Sequence, residues 1–244
     1  MTQGACGGAL AGESPSREVT MRKLLSLTIA LAVLAGCGDD DDGGGGPALT
    51  GKLHGETFDP AEVVFAGPRQ SASCEFPGFP ITYGIGDALI AFSPEAGGGC
   101  ALADPCAGRR SFTFVAGLLA HAEVPAPAAA PALDGGSYAV YGSLDEAVPA
   151  LATSGGGSIR TALLAAQQTD AQCAPVAAPP SASGTIRLDA VSATELRGQI
   201  DVSFADGQGG FLRGQFTARP CPAVTFDACF SDAGLTCSGT PSCQ

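Results

Sequence analysis

Between Leu196 and Ala218 the chain alternates apolar and polar side chains twice over. Leu196, Gly198, Ile200, Val202 and Phe204 alternate with Arg197, Gln199, Asp201 and Ser203, and Leu212, Gly214, Phe216 and Ala218 then alternate with Arg213, Gln215 and Thr217. A period of two is that of a β-strand with one face buried and the other in water. Both apolar sets fall on even numbers, so they share a face only if paired residues sum to an even number and the connecting loop has odd length. Asp206-Gly207-Gln208 meets that condition and supplies a glycine for positive φ. Slipping the register by one residue would put Phe216 in water. The two inward glycines, Gly198 and Gly214, predict a close approach of other backbone or a bulge. The outward Arg/Gln rows read as a solvated face.

Further short runs bounded by Gly, Pro, Asp or Ser predict strands at Leu49–His54, Glu62–Ala66, Ile81–Gly84, Ala88–Ser93, Ser111–Ala116, Tyr138–Gly142, Ser158–Ala165 and Gly184–Asp189. The fold class is all-β: an antiparallel β-sandwich, with a β-barrel as the alternative. Residues 120–134 read as a Pro/Ala loop without a core-forming pattern, and Ala174–Ser183 as a similar one. Ser143-x-x-Glu146 is a capping pair for one helical turn that Pro149 should soon stop. Thr161–Ala171 is also compatible with a helix.

Cysteine usage narrows the compartment. Past Cys37 stand Cys74, Cys100, Cys106, Cys173, Cys221, Cys229, Cys237 and Cys243. An even set in an exported chain reads as four disulfides, and eight cysteines allow 105 connectivities, so spacing alone leaves the pairing open. A zinc site is disfavoured because the tail lacks the closely spaced Cys-x2–4-Cys arm. From Cys37 onward nine Lys/Arg face twenty-two Asp/Glu, a net charge of −13. That excess opposes nucleic-acid and anionic-lipid partners.

Met21-Arg22-Lys23 is followed by an apolar run, Leu24–Leu34, and then by Ala35-Gly36-Cys37. Spanning a bilayer as a helix takes about 20 residues, so the run is a leader and not an anchor. Leu34-Ala35-Gly36-Cys37 resembles the lipobox of bacterial lipoproteins. The resemblance implies a diacylglyceryl thioether on Cys37 and cleavage between Gly36 and Cys37. The chain then divides into residues 1–20, an extension upstream of a start at Met21; the signal peptide, 21–36; the lipidated cysteine with an acidic, Gly-rich flexible tether, 37–47; a β domain, 48–221; and a Cys-rich tail, 222–244. Gly38 after the lipidated cysteine leans towards the outer membrane.

Gly136-Ser137-Tyr138-Ala139-Val140, Asp170-Ala171-Gln172-Cys173, Ser183-Gly184-Thr185-Ile186-Arg187-Leu188 and Phe216-Thr217-Ala218-Arg219-Pro220-Cys221 together resemble a pattern in uncharacterised all-β lipoproteins of high-GC Gram-negative bacteria. The resemblance covers about a third of the chain. It implies a sandwich with a Cys173–Cys221 disulfide and carries no activity.

Residues for chemistry are sparse. His54 lies at a strand end and His121 opens the Pro/Ala loop, without metal-ligand spacing between them. There is no Gly-x-Ser-x-Gly elbow. Gly155-Gly156-Gly157-Ser158 lacks the lysine of a P-loop, and Asp206-Gly207-Gln208-Gly209 is explained by a hairpin turn before a calcium loop. The expectation is a non-enzymatic envelope lipoprotein, held to the membrane at Cys37, without catalytic residues, metal or cofactor, and open to an envelope protein partner. The alternatives are an exported hydrolase with paired carboxylates and a small-ligand carrier with inward Phe and Leu around a void.

Overall fold

The computed structural model describes residues 48–75, 82–102, 107–108, 114–153, 156–170, 172, 174–222 and 242–243. β1 (Thr50–Leu53) and β2 (Glu56–Phe58) form a hairpin, followed by β3 (Glu62–Glu75), β4 (Thr82–Ser93), helix α1 (Gly99–Leu102) and β5 (Ala107–Gly108). Then come β6 (Phe114–Val124), β7 (Gly136–Tyr141), helix α2 (Leu144–Thr153), β8 (Gly157–Gln167), β9 (Ala182–Val191), β10 (Leu196–Phe204) and β11 (Gly210–Pro220). A last short strand, β12 (Ser242–Cys243), pairs with β5.

Eight strands follow one another in the order β10-β9-β7-β8-β6-β4-β3-β11, and β10 also pairs with β11, so the sheet closes into a barrel. The all-β class stands, and of its two architectures the barrel is the one adopted, not the sandwich. Paired residues followed once round, from Phe211 through Ser203, Ser183, Tyr141, Leu163, Leu118 and Leu89 to Ala66, end about ten residues along β11, one past the Phe65–Pro220 pair. Such a stagger in an eight-stranded barrel tilts the strands by roughly 40° and leaves an interior that side chains can fill. One continuous buried cluster occupies it, with Phe65, Phe92, Leu119, Tyr138, Ile186 and Leu212 among its members.

The wholly antiparallel expectation is corrected at two joins. β7 runs parallel to β8, and β11 parallel to β3. A parallel pair cannot be joined by a tight turn and needs a crossover, and α2 is that crossover. Ser143 caps it by accepting from the Glu146 N–H (3.3 Å), while Glu146 accepts from the Gly142 N–H (2.9 Å). Pro149 lies inside the helix and does not stop it. Thr161–Gln167, compatible with a helix by composition, is strand because β8 pairs along its length with β6 and also with β7.

The C-terminal hairpin has the register that parity demands, from Leu196↔Ala218 to Phe204↔Gly210. Phe216 is buried, and Gly207 has φ 72° in the turn. Gly198 sits at a bulge between β9 and β10, where a Cβ would strike the Arg187 carbonyl. Asp206 is partly desolvated, yet N–H groups of Gly210, Gln208 and His54 at 2.8–2.9 Å hold its carboxyl below the usual range. Its oxygens are thus engaged in building the turn.

Two readings of strand ends change. Of the two runs expected at Ile81–Gly84 and Ala88–Ser93, the described residues from Thr82 to Ser93 form one strand, β4. Gly84 and Gly86 do not break it; they make room inside the barrel. A Cβ on Gly86 would lie 2.5 Å from the Pro131 carbonyl oxygen and 2.6 Å from the Ala132 carbonyl carbon, and one on Gly84 would lie 3.0 Å from Pro131. The Pro/Ala segment is therefore a plug in one mouth of the barrel, with Leu133 in the core cluster. β3 continues past Gly67-Pro68 by means of a bulge, since proline cannot donate to the ladder.

The seam between β11 and β3 is held by side chains as well as by its ladder. Arg219 donates through Nε (2.6 Å) and its terminal nitrogen to Glu62, whose other oxygen accepts from the Gly99 N–H (2.7 Å). The Cys221 N–H donates to the Phe65 carbonyl (2.7 Å), and Cys221 is disulfide-bonded to Cys100 with a Cα–Cα distance of 5.5 Å. The Cys173–Cys221 bond implied by resemblance is thus corrected. Cys221 leaves the barrel beside β3, where α1 brings Cys100, and its one sulfur is taken.

Candidate functional site

The period-two pattern of β6 continues to its end. Leu119 points into the barrel, so His121 and Glu123 point the same way, while Ala122 lies in a separate buried cluster outside. His121 is paired with Arg160, and Glu123 with Ser158, both at the start of β8. The sequence reading of His121 as the first residue of a loop is therefore corrected: it is a strand residue, 7 % exposed, under the Pro/Ala plug.

Every ring nitrogen of His121 has a neighbour. Nδ1 lies 3.1 Å from the Ala132 carbonyl oxygen and 3.3 Å from Asp134 Oδ1. Nε2 is hydrogen-bonded to Ser158 Oγ and lies 3.9 Å from Glu123 Oε1. A carbonyl can only accept, so in the neutral ring Nδ1 carries the proton, and Nε2 accepts from the serine hydroxyl. Asp134, at the end of the plug, receives two hydrogen bonds from Arg160, Nε to Oδ1 at 2.9 Å and the terminal nitrogen to Oδ2 at 2.5 Å. These hold its carboxyl below the usual range against partial burial, with the nearby His121 assisting. Tyr138 donates to the Asp134 backbone carbonyl at 2.8 Å, and burial, reinforced by the Asp134 charge, pushes its phenol well above the ordinary value.

β6, β8 and the plug thus assemble a polar rim of His121, Ser158, Asp134, Arg160 and Glu123, with the buried Tyr138 of β7 beneath it. The sequence marks none of these as catalytic, and it places His121 at the opening of the Pro/Ala loop. Ala120-His121-Ala122-Glu123-Val124 does alternate, which is the signal that would have carried β6 through the histidine.

The expected lipidation and cleavage residues, Cys37 and Gly36, lie outside the described residues, as do Cys106, Cys173, Cys229 and Cys237. Cys74 is buried and disulfide-bonded. Cys243 belongs to β12. His54 occupies the β1–β2 turn with φ 48°. No protein family, curated protein or solved structure matches the chain.

Four carboxyls, Glu62, Asp134, Glu146 and Asp206, are held below their ordinary values in the folded chain. For each of them the unfolded chain binds the proton more readily. Their contribution to stability is therefore full above the unfolded values, near pH ~4, and is lost as pH falls through the lower folded values. The urea midpoint should be flat above pH ~5 and decline below ~4. Asp134→Asn should lower stability at neutral pH by up to ~1 kcal/mol, since the pair with Arg160 is partly exposed, and make the acid decline shallower. An unchanged acid limb in that variant would refute the assignment.

Proposed function

We propose that this chain is an envelope lipoprotein, cleaved before Cys37, acylated on that sulfur, and displaying its barrel on the tether 37–47. The observation that carries this reading is the disulfide from Cys100 to Cys221 at the barrel seam, with Cys74 also disulfide-bonded. Such bonds persist in oxidising compartments outside the cytoplasm, the destination that the lipobox specifies. In this reading the membrane is reached through the Cys37 lipid alone, and Gly38 favours the outer membrane.

The barrel itself serves as a binding or structural module that works from its rim and outer face. Its inward Phe and Leu side chains pack on one another, with the Phe92 and Phe216 rings edge to face at 5.7 Å. This supports a filled interior over a carrier's lumen. Outward charges on β9–β11 are matched in pairs, Arg213 with Asp201 at 2.8 Å and Arg187 with Asp189 at 2.7 Å. Asp134, whose carboxyl is shifted downward by its Arg160 pair, does not supply the raised acid that a paired-carboxylate hydrolase needs.

The test is metabolic labelling with radiolabelled palmitate in a bacterial host. The wild-type chain should incorporate label and fractionate with membranes, and Cys37→Ser should do neither. Equal labelling of both would overturn the proposal.

A further inference from the structure

We propose that Ser158 is a nucleophile for acyl transfer from carboxylic esters, with His121 as its general base and Asp134 as the residue that positions the imidazole. This goes beyond the envelope reading and does not depend on the lipid anchor.

The geometry is that of a serine–histidine–carboxylate relay, which is recognised by roles and distances and not by order in the chain. Ser158 Oγ is hydrogen-bonded to His121 Nε2, and Asp134 Oδ1 stands 3.3 Å from Nδ1. The Ala132 carbonyl at 3.1 Å holds the proton on Nδ1, which leaves Nε2 free to accept from the serine. Strand pairing fixes the relation: His121 and Ser158 are diagonal neighbours on one face of β6 and β8.

Access and charge fit the role. His121 is buried, whereas Ser158 is exposed at the rim, so the base is screened and the nucleophile can be reached. Gly156 and Gly157, with φ of 95° and 131°, lead directly into Ser158, and a Cβ built on Gly157 would meet nothing within 4 Å. When the imidazole takes the serine proton, the new positive charge lies between two carboxylates, Asp134 beside Nδ1 and Glu123 at 3.9 Å from Nε2. Arg160 binds Asp134 in two places and keeps it ionised and oriented.

The chemistry balances without a cofactor. Ser158 Oγ bonds to the ester carbonyl carbon while its proton passes to His121 Nε2. The tetrahedral adduct collapses, the carbon–alkoxide bond breaks, and the departing alcohol takes that proton. Water then attacks the acyl-serine, giving one proton to His121, which returns it to Ser158 Oγ as the carboxylic acid leaves.

The experiment uses the purified mature protein, a fluorophosphonate as the trapping reagent and p-nitrophenyl acetate as the ester. Intact-mass and peptide analysis should find a single phosphonyl adduct on Ser158, formed at least ~100-fold faster than on the urea-unfolded chain, the scale of one positioned base. Ser158→Ala should keep the melting temperature and lose both the adduct and the esterase turnover. His121→Gln should slow labelling by a similar factor. Asp134→Asn should slow it, and Asp134→Glu should restore part of the rate, which a merely structural role would not require. No adduct on the folded wild-type protein, an adduct elsewhere only, or equal rates for folded and unfolded chains would each overturn the proposal.

Discussion

Replacing Cys100 and Cys221 together by serine should lower the free energy of unfolding by 3–5 kcal/mol, against ~5 kcal/mol expected from loop entropy for so long a closed loop. The two residues are 121 positions apart, so the bond removes a large set of open conformations from the unfolded chain. It also lies where closure is weakest. The β11–β3 ladder consists of two residue pairs, Arg219↔Val64 and Pro220↔Phe65, whereas β10 and β11 pair along nine. Both cysteines must be changed at once, since either left alone is a free thiol. Urea unfolding of the double variant tests this, with a fall in melting temperature of roughly 10 °C for a domain this size. A loss under ~1 kcal/mol would mean that Glu62, Arg219 and the short ladder hold the seam unaided.

Phe92→Ala should cost ~3–5 kcal/mol, because the side chain is fully buried and the closed barrel cannot collapse around the gap. Phe216→Ala should cost a similar amount. The two rings meet at an interplanar angle of 86°, an edge-to-face contact of ~0.5–1.5 kcal/mol beyond burial. The double variant should therefore lose about 1 kcal/mol less than the sum of the singles. Denaturant titration of the four proteins closes the cycle. A cost under ~1 kcal/mol for Phe92→Ala would show an interior with room to spare, and would revive the carrier reading.

Much of the sheet could be read locally. The hairpin 196–218 states its own faces and register, and β1, β7 and β9 appear where alternation and turn residues put them. Closure could not be read, because it depends on Arg219 meeting Glu62 from 157 positions away, and no local pattern encodes a partner at that distance. Glycine and proline misled for a physical reason. Gly84 ends a predicted strand, yet it and Gly86 are the absence of side chains where Pro127 and Pro131–Leu133 need space. Proline-rich sequence lacks a periodic pattern, and so the plug reads as a loop. The rim site was hidden by the same error, since His121 becomes interesting only once β6 is known to continue beneath the plug. Likeness to other chains implies Cys173 as the partner of Cys221, while the spatial neighbour, Cys100, comes from a four-residue helix too short to leave a periodic signal.

Order of synthesis adds a last consequence. The strand that seals the ring is the eighth and final one of the circle, and its sealing residues lie at its very end. Until Arg219 and Pro220 have been made, β3 lacks its β11 partner, and an unpaired strand edge of that kind can recruit any extended chain nearby. A shortened product ending before those residues would keep nearly the whole core sequence and still present that edge, so it should accumulate as aggregates and not as a slightly weakened monomer.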